Sequence, residues 1–359
     1  MSRSRPSVIV LGWEFSRAGG VQEVSRQVAE TLRRSTSFDA RVVQYPRIGK
    51  FAAGVRSWLA RTAGRGTVCV FMHPHIFEEC ADLCSGADAP ATVVWAYGSD
   101  VWGEFGRRHA SALPKATKVA AISGYTAARV RENFPEADVS LIRLAVDDPP
   151  AVTREDESRF EIVTVARLAG DEEAKGHDLV LRAIGLLAAR GLRIPYHVVG
   201  TGPDQPRLAR LARDLGLADQ VDFHGYVPDD RKDVIYARSS AFVMPSHVVR
   251  RDRAAWSGEG FGLVYLEAAI RGLPVIACDE GGQAECVVDG ATGFLVRPDP
   301  EVIANRIAHL ASHPDECRRL GEGGREFVRR HFTPAHFRAD LERIIVEAVG
   351  KRDGQQGSL

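Results

Sequence analysis

The sequence predicts an α/β protein with two doubly wound domains, each built around a parallel sheet. The chain has 359 residues, which is enough for two domains of ordinary size. Short apolar runs alternate with amphipathic helical patterns, first up to about residue 145 and again after residue 160. A polar stretch with prolines and many acids, 147–157, separates the halves, so we place the domain boundary between residues 150 and 151.

Composition excludes several classes of protein. Lys plus Arg and Asp plus Glu both number 47, so the net charge does not favour nucleic-acid binding. No apolar run reaches the length of a membrane span and no leader peptide is recognisable, so we expect a cytoplasmic protein. The six cysteines are scattered and are expected to be reduced. Cys80 and Cys84 lie one helical turn apart, but no second pair completes a zinc site.

The first half opens with a strand, a glycine loop and a helix. Ser7–Gly12 is predicted to be a buried strand, Trp13–Ala18 a loop, and Gly19-Gly20 the start of a helix that reaches about Arg34. Such a loop lies at the carboxyl end of its strand, where doubly wound folds bind ligands. A tight turn that needs glycine explains the same residues. The further predicted strands are Arg41–Gln44, Thr67–Phe71, Ala91–Trp95, Lys118–Ile122 and Val139–Ile142.

Two stretches of the first half invite a functional interpretation. His73-Pro74-His75 follows a strand and is predicted to be a loop rather than a metal pair, because proline keeps the histidines off one helix face. The stretch 45–66 is basic and amphipathic. We favour a solvated basic face over a stripe that faces the core, and contact with an anionic membrane stays open as the alternative. Its cations are Arg47, Lys50, Arg56, Arg61 and Arg65, and its apolar stripe is Phe51, Val55, Trp58 and Leu59.

The second half repeats the alternation of strands and helices. Gly200-Thr201-Gly202 follows a strand, but Gln205 stands where a dinucleotide fingerprint requires its third glycine. A dinucleotide-dependent dehydrogenase is therefore disfavoured. The predicted elements are the strands Phe160–Val165, Tyr196–Val199, Val221–Phe223 and Ala241–Met244, and the helices Asp178–Ala189, Pro206–Leu215, Asp230–Tyr236, Arg319–His331 and Pro334–Val349.

The stretch Glu259–Glu267 is the strongest functional signal. A glycine-rich turn, 258–262, leads into a predicted helix, Leu263–Ile270, whose exposed N–H groups suit an anion such as a phosphate. Glu259 and Glu267 lie on roughly one side of that helix, about 12 Å apart, which is the reach of a diphosphate with a sugar at each end. An ordinary helix-start carboxylate and a surface glutamate explain the same two residues more simply.

The motifs around this stretch resemble the retaining glycosyltransferases of family 4. They are Glu259-Gly-Phe-Gly262 with Glu267, Gly272-Leu-Pro-Val-Ile276 and Gly281-Gly-Gln-Ala-Glu285. The resemblance implies the GT-B fold, with two Rossmann-like domains that face each other across a cleft. It assigns acceptor binding to an N-terminal domain, 1–150, and binding of the nucleotide-sugar donor to a C-terminal domain, 151–333, with a last helix at about 334–359 that packs back on the first domain.

The resemblance also implies roles for individual residues. Arg167 and Lys175 match the two cations that meet the donor diphosphate, and fixed cations at strand ends suit a dianionic leaving group. Tyr97 stands where the family commonly has histidine, which puts that one sugar contact in doubt. The implied catalytic residues are Arg167, Lys175 and Glu259, and the implied donor-binding residues are Gly19, Gly20, Tyr97, Gly202, Val227, Phe261, Gly262, Leu263 and Glu267.

We therefore expect transfer of a hexose-type sugar from a nucleoside-diphosphate sugar to an acceptor hydroxyl of a lipid, glycan or small metabolite, with retention at the anomeric carbon. GDP-mannose and UDP-sugars both stay open as donors. No metal is expected at the site and no cofactor besides the donor substrate. A nucleotide-sugar epimerase of the same architecture is the alternative, and contact of 45–66 with a membrane would make the protein peripheral.

Overall fold

The computed structural model forms two compact units. The first comprises residues 1–144, 251–256 and 335–359, and the second comprises 145–250 and 257–334. Each unit contains a six-stranded sheet in which every neighbouring pair of strands is parallel. The structure describes residues 5–13, 19–46, 50–150, 159–168, 173–250 and 256–354.

The sheet of the first unit has the strand order β2-β1-β3-β4-β5-β6. The order reverses between β1 and β3, and a reversal of this kind marks the ligand-binding crevice of doubly wound sheets. Its strands are β1 (Ser7–Gly12), β2 (Asp39–Gln44), β3 (Thr67–Phe71), β4 (Ala91–Ala96), β5 (Lys118–Ala121) and β6 (Val139–Leu141). Its helices are α1 (Gly20–Arg33), α2 (Lys50–Thr62), α3 (Pro74–Cys80), α4 (Gly103–His109) and α5 (Gly124–Asn133).

The central strands of this sheet are buried throughout because both faces are covered. Every residue of β3 and of β4 is buried, which is typical of parallel sheets. The last helix of the chain belongs to the same core: Phe337 is buried near Trp95, and Asp340 pairs with Nε of Arg143 at 2.8 Å. All six cysteines are free thiols, and five of them are buried.

Helix α2 uses its apolar stripe in the core of the first unit. Leu59 is 1% exposed, and Val55 and Trp58 pack against the same cluster of buried residues. On the outer face, Arg56 pairs with Asp82 at 2.8 Å. For these residues the structure supports the interpretation of a basic face over a core-facing stripe. Arg47 and the side chains of Lys50 and Phe51 lie outside the described part of the chain. No helix in the described ranges is both long and apolar enough to cross a bilayer.

The sheet of the second unit has the order β14-β13-β10-β7-β8-β9, which reverses between β7 and β10. Its main strands are β7 (Ile162–Val165), β8 (Tyr196–Val199), β9 (Val221–Gly225), β10 (Ala241–Val243), β13 (Val275–Cys278) and β14 (Gly293–Val296), and β11 (Val249–Arg250) and β12 (Trp256–Ser257) are two-residue strands. The helices are α6 (His177–Ala189), α7 (Gln205–Asp214), α8 (Asp229–Arg238), α9 (Leu263–Ile270), α10 (Pro300–Ser312) and α11 (Pro314–His331), and α12 (Pro334–Gly354) closes the chain.

The structure corrects two predicted elements. His73-Pro74-His75 is not a loop, because helix α3 begins at Pro74 and His73 caps it by accepting a hydrogen bond from the N–H of His75. Proline is favourable at the first position of a helix, where its missing N–H would have no partner. The same preference starts α11 at Pro314 rather than Arg319, after a helix, α10, that was not predicted.

Some predicted features fall partly outside the described residues. They are residues 14–18 of the loop after β1, residues 151–158 of the linker, and residues 251–255 of the insertion between Ser246 and Glu259.

Candidate functional site

The candidate site lies where the strand order of the second unit reverses. Strands β7 and β10 are parallel neighbours, so the loops that follow them leave the sheet at the same edge. Arg167 is exposed two residues after β7. The chain after β10 leads through Pro245 and Ser246 towards the Glu259 turn and helix α9. Open α/β sheets bind ligands at this kind of crevice.

Lys175 and Glu259 meet at this edge as an ion pair. Nζ of Lys175 lies 2.7 Å from Oε2 of Glu259, and the two side chains are only 17% and 15% exposed. The pair is separated by more than eighty positions in the chain, so the fold brings it together. The attraction between such charges is strong because little water screens it, and loss of either partner would leave a poorly solvated charge.

Gly176 lets the loop that carries Lys175 lie close to the loop after β10. Gly176 has a φ of 77°, and a Cβ there would overlap the carbonyl oxygen of Pro245. The N–H of His247 donates to the carbonyl of Ala174 at 2.8 Å. His177 follows in the buried first turn of α6, where burial, reinforced by the Lys175 charge, lowers its pKa to about 4. The residues on either side of Lys175 are thus held against the loop after β10.

The turn before α9 is clamped by the Gly281-Gly282 motif. A Cβ on Gly282 would overlap the backbone of Gly260, and the N–H of Gly282 donates to the carbonyl of Glu259 at 2.9 Å. Gln283 is completely buried and donates to the carbonyl of Ser246 at 2.6 Å. The motif therefore positions Glu259 through the backbone, a role that the sequence resemblance did not specify.

Helix α9 begins with unpaired N–H groups. Within the described part of the chain, the N–H groups of Phe261, Gly262 and Leu263 have no hydrogen-bond acceptor. Gly262 has a φ of 91°, and a Cβ there would crowd the ring of Tyr265. The Tyr265 hydroxyl donates to the carbonyl of Met244 at 2.8 Å and ties the helix to the end of β10. The helix start is thus fixed in place and can accept an anion.

Glu267 lies further along α9 beside a lysine that sequence analysis missed. Nζ of Lys232 is 3.3 Å from Oε2 of Glu267 and 3.0 Å from Oδ1 of Asp229. Burial opposes the charge of Lys232, but the two carboxylates outweigh it and raise the pKa of the ammonium group. Lys232 is three residues after Asp229 on α8, a spacing that signals only a local ion pair. Its contact with Glu267 depends on how α8 packs.

Close packing explains the glycines after β8. A Cβ on Gly200 would overlap the carbonyl of Ala166, and one on Gly202 would overlap the carbonyl of Leu168. The loop after β8 therefore lies directly against the loop that carries Arg167. Val227, in the loop after β9, is half-buried, and its neighbour Tyr226 is 71% exposed.

The predicted site residues of the first unit lie at the ends of two of its strands. Gly19 caps α1 with a φ of 149°, and both Gly19 and Gly20 are exposed. Tyr97 follows β4 and is 8% exposed, with its ring stacked on Trp95 at 6.1 Å. Its N–H donates to the carboxylate of Asp100 at 3.1 Å. The tyrosine is therefore largely a packing residue, with little side-chain surface for a ligand.

The second unit thus gathers most of the predicted residues along one sheet edge. Lys175 and Glu259 are in contact, the start of α9 follows directly, and the loops of Arg167 and Gly202 pack against each other. Glu267 lies two turns further along α9. Sequence analysis missed Lys232, and it gave no role to Gly282, Gln283 and Tyr265, although these three lie in stretches that it named. Two doubly wound units, with a helix start that has unpaired N–H groups at a strand reversal, define a two-domain α/β protein.

The chain belongs to the glycosyl transferases group 1 family, whose model matches residues 147–327, half of the chain. Its fold is GT-B, with two Rossmann-like domains. Sucrose-phosphate synthase from Thermosynechococcus elongatus superposes with a TM-score of 0.75 over 99% of this chain and 100% of its own, at 19% identity. HepE of Anabaena, solved with UDP and glucose, superposes with a TM-score of 0.71 over 94% and 98% of the two chains, at 16% identity.

Curated relatives are more similar in sequence. A GDP-mannose-dependent α-(1-6)-phosphatidylinositol monomannoside mannosyltransferase of Mycolicibacterium smegmatis is 32% identical over 248 residues, 66% of this chain and 63% of the relative. A D-inositol 3-phosphate glycosyltransferase of Nocardia farcinica is 30% identical over 279 residues, 75% of this chain and 59% of the relative. The matched region thus spans less than two thirds of the length of either relative.

Proposed function

We propose that the protein is a retaining glycosyltransferase that moves a hexose-type sugar from a nucleoside-diphosphate sugar to an acceptor hydroxyl. The Lys175–Glu259 pair next to the unpaired N–H groups of α9 carries the proposal. A cation, a carboxylate and a helix start with unpaired N–H groups are thus close together at the strand reversal. A sugar diphosphate needs these three kinds of group, since its phosphates are anionic and its hydroxyls donate hydrogen bonds.

Different residues of the second unit would contact different parts of the donor. Arg167, Lys175 and the N–H groups at the start of α9 would hold the diphosphate and stabilise the charge that develops as it leaves. Glu259 would accept hydrogen bonds from hydroxyls of the transferred sugar, and Glu267 from those of the ribose. In this proposal residues 151–333 bind the donor, with Gly202 and Val227 near the nucleoside, and residues 1–150 bind the acceptor, with Gly19, Gly20 and Tyr97 near the donor.

Binding of the donor would exchange the partners of the Lys175–Glu259 ion pair. Without donor, Lys175 and Glu259 neutralise each other across 2.7 Å. When the diphosphate binds, the lysine gains a stronger anionic partner, and Glu259 is released to accept hydrogen bonds from the sugar. Pairing of Lys175 with the diphosphate and hydrogen bonds from the sugar hydroxyls to Glu259 would offset the loss of the ion pair.

The acceptor hydroxyl would attack the sugar ring on the same face from which the diphosphate leaves. No pair of carboxylates at the spacing of a nucleophile and an acid is found among the motifs, so a double displacement is not proposed. The departing phosphate would take the proton of the acceptor hydroxyl while Arg167 and Lys175 hold its charge. We propose that this chemistry needs no metal. The relatives suggest GDP-mannose as donor and inositol-containing acceptors, and UDP-sugars are the competing donors.

The test is a transfer assay with product analysis. The purified protein is incubated with GDP-mannose or UDP-glucose and with D-inositol 3-phosphate or phosphatidylinositol monomannoside, and NMR identifies the anomer formed. Arg167→Ala and Lys175→Ala should each lower kcat about 10²–10³-fold, as loss of one transition-state contact does. Near-normal turnover of both variants would refute the assignment, and conversion of the donor sugar without any acceptor would indicate an epimerase.

A further inference from the structure

A cluster of imidazoles and carboxylates lies on strands β8 and β9, apart from the residues assigned to the donor. Nδ1 of His197 is 3.0 Å from Nε2 of His224 and 3.7 Å from Oδ2 of Asp222. One ligand atom from each of the three residues lies within 4.8 Å of the others. We propose that this cluster, defined by His197, Asp222 and His224, is a binding site for a divalent transition metal of the zinc type.

The register of the two strands explains why the three side chains converge. His197 on β8 is the Cα partner of Asp222 on β9, so both point to the same face of the sheet. His224 is two residues beyond Asp222, and successive residues of a strand alternate between faces. A bulge follows, because Val199 pairs with Gly225 and His224 is the inserted residue. Bulges re-aim side chains, and this one directs His224 at His197.

A buried carboxylate fixes the orientation of His197. Nε2 of His197 is 2.9 Å from Oε2 of Glu161, and both side chains are almost completely buried. Glu161 also accepts a hydrogen bond from Nε of Arg238 at 2.8 Å, so its position is fixed on two sides. With Nε2 of His197 turned to this carboxylate, Nδ1 is directed at His224. Metal-binding histidines are oriented by carboxylates in the same way.

The distances are close to those of a tetrahedral site. Two nitrogens that bind zinc at 2.0–2.1 Å lie about 3.3–3.4 Å apart, so the histidine nitrogens need to separate by only about 0.3–0.4 Å. Asp222 has a side chain that is 67% exposed and can move towards the ion. Two imidazoles, one carboxylate and a water molecule form a ligand set that zinc accepts.

The site would act on structure rather than on the transfer chemistry. Strand β9 is the edge of its sheet, and an edge strand is paired on one side only. A metal bound by both strands would hold β9 against β8 just before the loop of Val227 leaves the sheet. The expected ligand is therefore a resident structural ion, whose removal loosens this edge.

Calorimetric titration with Zn²⁺ tests the proposal. The metal-free wild-type protein should bind about one ion per chain with a dissociation constant in the micromolar range or below, and its melting temperature should rise with Zn²⁺. His224→Gln should abolish this binding, and Asp222→Asn should weaken it. Both side chains are partly exposed, so both variants should fold, which circular dichroism in metal-free buffer checks. Glu161→Gln should lower the affinity about 10–100-fold by freeing the ring of His197.

His109→Gln is the matched control, because this exposed histidine lies in the first unit. It should bind Zn²⁺ as the wild type does. Co²⁺ is a second probe, since tetrahedral Co²⁺ absorbs visible light strongly and octahedral surface-bound Co²⁺ absorbs weakly. Equal Zn²⁺ affinity of wild type and His224→Gln, an absence of Zn²⁺ binding, or only a weak Co²⁺ band would each overturn the proposal.

Discussion

The ion pair between Lys175 and Glu259 should be measurable as a coupling energy in the absence of any ligand. At 2.7 Å and an effective dielectric constant of about 20, the Coulomb attraction is about 6 kcal/mol. Desolvation of two side chains that are 17% and 15% exposed offsets much of it. We therefore expect Lys175→Met and Glu259→Gln each to lower the free energy of unfolding by about 2–4 kcal/mol, and the pair to show a coupling energy of about 1–3 kcal/mol.

The assay is urea unfolding of the wild type, both single variants and the double variant. Far-UV circular dichroism should be the signal, because all five tryptophans lie in the first unit, whereas the pair lies in the second. Tryptophan fluorescence then reports on the unit that was not changed. The matched control is the exposed pair of Arg190 and Glu301, whose coupling should be close to zero. Additive effects of Lys175→Met and Glu259→Gln would refute a direct charge contact between them.

Three further predictions follow from the same geometry. Glu267→Gln should mainly raise the donor KM, because the ribose is held alike before and during transfer. Glu259→Gln should mainly lower kcat, and steady-state kinetics on both variants would show the difference. The reverse pattern would exchange the two roles. Gly282→Ala should lower activity at least tenfold, because its Cβ would overlap the backbone of Gly260. Gly185→Ala is the control, since its Cβ would meet only the side chain of Leu215 at 3.7 Å, and equal activities of the two variants would refute the clamp. His177 has a folded-state pKa of about 4, below its ordinary value of 6.5, so its contribution to stability is present above pH 6.5 and is lost as the pH falls towards 4. His177→Gln should therefore reduce the fall in the free energy of unfolding between pH 6.5 and pH 4 by up to roughly 3 kcal/mol, as measured by unfolding curves at each pH. An unchanged pH dependence would contradict the burial of this ring.

The alternation of strands and helices was predictable because each element carries its own local pattern. The predicted span of helix α9 agrees with the structure, since a glycine turn begins it and Gly272 ends it. The strand β3 was recognisable as an apolar run of five residues. Helix α3 was missed because Pro74 was interpreted as a breaker, although it occupies the first helical position. Local patterns therefore predicted element type better than element ends.

The sequence predicted those site residues that lie within a recognisable motif. It did not predict contacts between segments that are distant in the chain. Lys175 and Glu259 were each named from the sequence, but their direct contact was not, because it depends on how two distant loops meet across Gly176. Lys232 was not named, because its spacing to Asp229 on α8 indicates only a local ion pair. The cluster of His197, Asp222 and His224 could not be seen without the register of β8 on β9.

The central claim is that the edge formed by Lys175, Glu259 and the start of α9 binds the diphosphate of a nucleotide sugar. Calorimetric titration of GDP and UDP into wild type, Lys175→Met and Glu259→Gln tests it most directly, because these ligands contain the diphosphate but no transferred sugar. Lys175→Met should bind the preferred diphosphate at least tenfold more weakly. Glu259→Gln should bind it as tightly as wild type or more tightly, since Lys175 no longer has to leave a partner. Wild-type affinity in Lys175→Met, or loss of binding in Glu259→Gln, would contradict the account.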